Sequence, residues 1–277
     1  MNWGAQIAGA VGRRTLRAGA DAVGFVQHVS NMWRLLGGSV LALTVGVLRG
    51  RTRIGRQILP MLRNVGVRSL PVVALIAFLT GAILVLQTGD VMRKYGQLQQ
   101  VPGMVALSIV RALGPLMTAI IMTARVGASF TAVLGSMRIN EEIVALEAMA
   151  VQPTAYLVAP RLFAMLVMVP CLSVFSYLVG MSGGWLVSML VYDIDTETYV
   201  ETSIVYLDMT GVLFGLVKSV VFAVLITTIC CYYGLIADGG PMGLGRNIMV
   251  AVVVTIVMLV LAEAVMAAFM VNWLLVS

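Results

Sequence analysis

The sequence predicts an all-α integral membrane protein with about five membrane-spanning helices. Hydrophobic residues make up 60% of its 277 residues and charged residues only 11%, and the mean hydropathy is +1.01. A chain this apolar needs lipid as its main solvent. Because one spanning helix needs about 20 mostly apolar residues, the spans use most of the sequence. We therefore expect no separate water-soluble catalytic domain.

Residues 1–70 are predicted to form cytoplasmic and interfacial amphipathic helices. This segment holds ten arginines and one acid, Asp21, and such an excess of positive charge is typical of the cytoplasmic side. The uncharged stretch 35–48 is short for a span, so we expect one or two helices at the membrane surface, with a distorted sixth span as the alternative. Lipid headgroups account for the arginines, and no nucleic-acid partner is predicted.

The remainder, 71–277, contains five long apolar segments with local signals at their limits. Pro71 suits the first turn of a helix, and Gly114 with Pro115 predicts a kink in the second span. The loop 192–208 carries five acids and no Lys or Arg, which favours the outer side. The N-terminus is then inside and the C-terminus outside. The predicted spans are 71–89, 101–128, 156–191, 209–233 and 247–275.

A short cytoplasmic helix is predicted at 138–150, between the second and third spans. Asn140 is a candidate N-cap, Glu141 and Glu142 fall in the first turn, and Pro153 ends the segment. One interpretation is a lever through which a separate ATPase moves the bundle; the other is a surface segment that orders against the membrane. Its apolar edge consists of Ile139, Ile143, Leu146 and Met149.

Three charged residues, Arg111, Lys218 and Glu263, are predicted deep within spans, where a charge is costly unless it is paired or hydrated. Counted along their helices, all three lie roughly 15 to 18 Å from the outer surface. The cluster is predicted either to line a cavity for an anionic lipid headgroup, with positive charge left over, or to be structural. In the second case Lys218 and Glu263 neutralise each other while Arg111 extends toward water.

The sequence offers no catalytic or metal-binding motif. The single histidine, His28, has no partner residue at useful spacing, and no phosphate-binding P-loop is present. The three cysteines lie in apolar runs, which predicts neither disulfides nor a metal site. An intramembrane lipid-modifying enzyme and a small-solute channel remain alternatives. Neither is favoured, because no group of His, Asp or Ser converges at one depth and only isolated charges, not a polar stripe, occur along the spans.

A series of motifs resembles the permeases of the MlaE (YrbE-like) family, which are the membrane subunits of MCE-associated ABC lipid transporters. The similarity extends from about residue 64 to the C-terminus. One departure is Ala112, where members of the family often carry an acid, and this affects the expected headgroup preference. The motifs are R-x-L-G-P at 111–115, A-R-V-G-A-S at 124–129, L-G-x-M-R at 134–138, E-x-I-x-A-L-E-x-M at 141–149, P-x-x-Y-L-x-x-P-R at 153–161 and G-L-V-K-S-V-V-F at 215–222.

The resemblance implies a dimer of permease subunits in a bacterial cytoplasmic membrane, with a lipid cavity between the two copies. It also implies a cytoplasmic ABC ATPase dimer, an outer ring of MCE-domain proteins and, in some systems, a STAS-domain protein. The moved substrate is phospholipid or a related lipid. This chain then binds no cofactor, since ATP and Mg²⁺ belong to the ATPase. The implied coupling-helix residues are Arg138, Glu141, Glu142, Leu146, Glu147 and Met149.

Overall fold

The computed structural model describes Gly37 and residues 52–150 and 152–276. Those residues are almost entirely helical, and no β-strand occurs among them. The surface helices predicted within 1–51 lie outside the described residues. The ten α-helices of the described chain are α1 Thr52–Val65, α2 Leu70–Lys94, α3 Val101–Ser108, α4 Gly114–Met122, α5 Ala128–Ile139, α6 Glu142–Ala148, α7 Ala159–Tyr192, α8 Thr196–Tyr206, α9 Met209–Leu235 and α10 Gly240–Val276.

Wide π-helical turns join several of these helices into longer rods. Ile109–Leu113 and Thr123–Gly127 connect α3, α4 and α5, and Thr154–Val158 leads into α7. Five rods are long and apolar enough to cross a membrane, which confirms the predicted all-α membrane fold. In chain order these spans are Leu59–Lys94, Leu98–Ile139, Tyr156–Tyr192, Met209–Leu235 and Gly240–Asn272.

Small residues let the first and third spans approach closely. A methyl group added at Gly81 would collide with the Gly180 carbonyl oxygen, and one added at Gly183 would collide with the Phe78 carbonyl oxygen. Two helices in lipid are held together largely by such close packing, because burial of apolar surface gives little driving force there. α2 therefore packs mainly along α7, while its other side exposes large apolar residues such as Leu75.

The hydrophobic core lies mainly among α5, α7 and α9, and α10 packs against α9 and α5 and contributes the buried Leu259. Phe222 and Met165 are fully buried there. α1 joins this core through Val65 and packs against α7, so it is an integral part of the bundle. The described part of the predicted interfacial segment thus supports the base of the third span.

The region 192–208, expected as a loop, contains the helix α8. Asp193 has a positive φ of 51° and ends α7, and α8 then folds back over α3. Its buried Tyr199 donates a hydrogen bond of 3.0 Å to the Met181 carbonyl oxygen, and burial raises the pKa of Tyr199 to about 12. Sequence analysis did not predict this helix, because acidic residues lie beside the few residues that pack inward and obscure its apolar pattern. α8 and α6 mark opposite ends of the bundle, called here the α8 end and the α6 end.

Candidate functional site

A buried ion pair joins the fourth and fifth spans. The Lys218 ammonium lies 2.5 Å from a carboxylate oxygen of Glu263, and the two side chains are only 3% and 12% exposed. Lys218 also donates a hydrogen bond of 2.8 Å to the backbone carbonyl oxygen of Arg111. One ammonium therefore connects three spans, because Lys218 belongs to α9 and donates one hydrogen bond to α10 and one to the π turn before α4.

The Arg111 carbonyl is available because of Pro115. In a regular α-helix that carbonyl accepts the N–H of the residue four positions later, and proline has no N–H to donate. The predicted kink site at Gly114 and Pro115 is the point where the π turn Ile109–Leu113 returns to α-helix. The turn thus presents a backbone oxygen to Lys218, and Gly114 leaves room for the adjoining Tyr177 ring.

The Arg111 side chain leaves this cluster. Its Nη2 lies 3.3 Å from a carboxylate oxygen of Asp208, which is 61% exposed at the α8 end. Lys218 and Glu263 therefore lie together, which is the arrangement that the structural interpretation of the cluster expects. Only the backbone of Arg111 contacts Lys218, and the Arg111 side chain does not join the pair. Each of the two cations has one acid beside it in the described chain, and whether the cluster also meets a lipid headgroup stays a prediction.

The ion pair retains unused hydrogen-bonding capacity. The second carboxylate oxygen of Glu263 has no partner, nor have the Tyr177 hydroxyl and the Nε of Arg111. Tyr177 lies close to both Gly114 and Gly215, in the same part of the bundle. Buried polar atoms without partners are rare, so these atoms are candidates to bind water or a polar ligand group.

The short helix α6 stands at the joint between the second and third spans. It covers Glu142–Ala148, which is narrower than the predicted 138–150. Asn140 is not its N-cap: Asn140 closes α5, and Glu141, with a left-handed φ of 59°, precedes α6. The chain must turn sharply between the two helices, and an ordinary capping residue would not make that turn. Arg138 correspondingly lies in the last turn of α5.

Two faces of α6 have different environments. Ile143 is 3% exposed and Leu146 packs against the core, so half of the predicted apolar edge holds α6 to its own bundle. The opposite face is open. Its exposed members, together with the C-cap Met149, are Glu141, Glu142, Val144 and Glu147.

Sequence reasoning missed Asp208 as the partner of Arg111, and it missed two arginines inside the helical spans. Arg161 is buried and Arg125 is partly buried, near the bases of the third and second spans. Both residues belong to the motifs that carry the family resemblance, at 124–129 and 153–161. Their position within the predicted spans was the available signal.

These features define a multi-pass helical membrane protein. A buried ion pair connects its second, fourth and fifth spans, and a short exposed helix joins the second and third spans at one end of the bundle. Residues 58–269 match the family model described as "Permease MlaE". The chain belongs to the MlaE permease family, and it is a permease of an ABC transporter.

Similar proteins cover most of the chain. A probable ABC transporter permease protein of Rickettsia prowazekii is 35% identical over 206 residues, which is 74% of this chain and 80% of that protein. A probable ABC transporter permease protein of Synechocystis is 31% identical over 253 residues, 90% of this chain and 94% of that protein. The chloroplastic protein Trigalactosyldiacylglycerol 1 of Arabidopsis thaliana is 29% identical over 240 residues, 86% of this chain and 68% of that protein.

Proposed function

We propose that this permease is the membrane subunit of an MCE-type ABC transporter that moves phospholipid or a related lipid between membranes. Membership of the MlaE permease family supports the proposal, as does the relative whose name refers to a galactosylated diacylglycerol. Two copies form the transporter, with the lipid between them, in a bacterial cytoplasmic membrane. A ring of MCE-domain proteins binds at the α8 end, and a STAS-domain protein accompanies some assemblies.

The energy for transport comes from a separate ABC ATPase dimer that binds ATP and Mg²⁺. The two faces of α6 support the proposed coupling to the ATPase. Ile143 and Leu146 pack in the bundle, whereas Glu142 and Glu147 are exposed to solvent. A helix anchored in this way passes a push on its outer face to the second and third spans. The α6 end is accordingly the cytoplasmic end, which agrees with an inside N-terminus and an outside C-terminus.

The ion pair connects several spans, so that they can move together. Lys218 links α9 to α10 and to the second span, so a push that tilts the second span also moves the fourth and fifth. The partnerless oxygen of Glu263 and the hydroxyl of Tyr177 lie at the same place and are the polar groups that a lipid headgroup would meet there.

The coupling role is tested by reversing charge on the open face of α6. Glu142→Arg combined with Glu147→Arg places two cations where acids are expected to meet the ATPase, and like charges across an interface weaken association. We expect the ATPase to be lost during co-purification, or its permease-dependent hydrolysis to fall at least about tenfold. The matched control is Glu197→Arg on α8, an exposed acid at the other end of the bundle.

Normal assembly and hydrolysis in the α6 variant, with correct insertion shown by proteolysis of membranes, would refute the coupling role. Lipid analysis of the purified complex tests the substrate separately. Phospholipid or a related lipid bound in stoichiometric amount supports transport of that class, whereas its absence from an active complex contradicts it.

A further inference from the structure

Three arginines line one cavity at the α6 end of the bundle. The cavity measures about 340 Å³ and lies among α1, the second span and the first turns of α7. Arg68 precedes α2, Arg125 lies in the π turn before α5, and Arg161 lies near the start of α7. The fold thus brings three guanidinium groups together from three different elements. The cavity is far larger than one water needs, about 30 Å³ in the liquid.

Arg161 is the most buried of the three, with 6% of its surface exposed. One of its terminal nitrogens donates to the Leu157 carbonyl oxygen, and its guanidinium lies 5.6 Å from the centre of the Phe130 ring. Its Nε, however, is buried without a hydrogen-bond partner. A guanidinium that is more than nine-tenths buried therefore lines the cavity with part of its donor capacity unused.

No carboxylate balances these arginines within the part of the chain that the structure describes. The ion pairs found there are Arg111 with Asp208 and Lys218 with Glu263, so none of the three cavity arginines has an acid within 4.0 Å. Among the described residues, the hydrogen-bond acceptor found for Arg125 is the neutral Ser69 hydroxyl. The wall has two more neutral polar side chains, Asn64 and Ser129, and is otherwise apolar. A buried cation without a counter-ion, such as Arg161, is costly, and an anion in the cavity would reduce that cost.

The position of the cavity along the spans indicates which kind of anion it would bind. Arg68 lies two residues before α2 and Arg161 is the third residue of α7, so the cavity lies near the α6 end of the first and third spans. Because lipid headgroups flank the hydrocarbon core that the apolar helices cross, we place lipid phosphates near this end of the bundle. Guanidinium groups bind phosphate oxygens through paired, charge-assisted hydrogen bonds. Beside the cavity, Leu59 and Val67 are 75% and 56% exposed, as suits a surface that faces acyl chains.

We propose that the Arg68–Arg125–Arg161 cavity binds a phosphate group, presented by a lipid headgroup at that surface or by free phosphate. The site is separate from the Lys218–Glu263 pair and does not depend on the proposed transport function. Because Arg125 and Phe130 belong to the rod that leads into α6, a bound phosphate would also fix α1 and α7 against the second span.

The test is a thermal-unfolding titration of the purified full chain, delipidated in a neutral detergent. The probes are dioctanoyl phosphatidylglycerol, dioctanoylglycerol, which lacks the phosphate, and inorganic phosphate. We expect saturable stabilisation by phosphatidylglycerol and none by dioctanoylglycerol. In Arg125→Gln and Arg68→Gln the half-saturating concentration should rise at least about tenfold, the effect of losing one hydrogen bond to a charged group. Arg63→Gln, an exposed arginine of α1 outside the cavity wall, is the matched control.

Arg161→Gln also removes the bond to Leu157, so it can fail to fold for that reason alone. Ser129→Phe serves instead: it fills the cavity and retains all three arginines, and it should abolish the titration. A response to phosphatidylglycerol alone assigns the site to a lipid headgroup, and a response to inorganic phosphate as well assigns it to phosphate from either source. Equal responses to phosphatidylglycerol and dioctanoylglycerol, or unchanged titrations in the cavity variants, overturn the proposal.

Discussion

Two groups of charged side chains lie within the bundle, and the fold treats them differently. Lys218 and Glu263 form a close, buried pair in the middle of the fourth and fifth spans. Arg125 and Arg161 lie at the base of the second and third spans with no acid beside them in the described chain, and next to empty space. A matched pair of charges holds helices together, whereas unmatched charges beside a cavity can bind a ligand.

The largest loss of stability is expected when one member of the Lys218–Glu263 pair is removed. Lys218→Met leaves the Glu263 carboxylate buried and alone, which typically costs about 3–5 kcal/mol. Lys218→Met combined with Glu263→Met removes both charges, so most of that loss should return. The free energy of unfolding, measured by denaturing detergent in mixed micelles, checks both. Lys94→Met, at an exposed lysine of α2, is the control.

An equal loss in the single and double variants would show that the pair is not a unit. The double variant also separates the two interpretations of the cluster. If it is stable and transports lipid normally, the pair only fastens helices; if it is stable but inactive, the polar groups contact the lipid.

A smaller effect tests the third connection of Lys218. Pro115→Ala supplies an N–H that competes for the Arg111 carbonyl. The hydrogen bond from the charged Lys218 is worth about 1.5–3 kcal/mol, and the new neutral N–H recovers about 1 kcal/mol of it. We expect the loss of stability from Pro115→Ala to disappear in a Lys218→Met background, giving a coupling of about 1 kcal/mol in a double-mutant cycle. Pro102→Ala, in the first turn of α3 where an N–H has no helical partner, should instead be additive with Lys218→Met. Additivity at Pro115 would mean that Lys218 does not depend on this carbonyl.

Sequence analysis predicted the five-span fold and brought Lys218 and Glu263 to the same depth, because apolar length and residue counting depend on regular helices. It did not predict where the Arg111 side chain goes. The level of a residue follows from its position along a helix, but the direction of a long side chain depends on the neighbouring Asp208. The cavity arginines were missed for a related reason: Arg68, Arg125 and Arg161 are far apart in sequence, and only the packing of three elements joins them. The left-handed turn at Glu141 was likewise missed, because no local pattern indicates it, whereas the buried Ile143 was part of the predicted apolar edge.

The smallest expected effect is at the exposed pair of Arg111 and Asp208. Because Asp208 is 61% exposed, water screens the interaction, and exposed ion pairs contribute about 0.2–1 kcal/mol. Asp208→Asn keeps the shape of the side chain and removes its charge, so the free energy of unfolding should fall by less than about 1 kcal/mol. That loss should vanish in 1 M NaCl, where charges are screened within about 3 Å, while the loss from Lys218→Met should persist. A salt-independent loss at Asp208 as large as that at Lys218 would place Arg111 with the buried pair, so that all three charges predicted at one depth would act together.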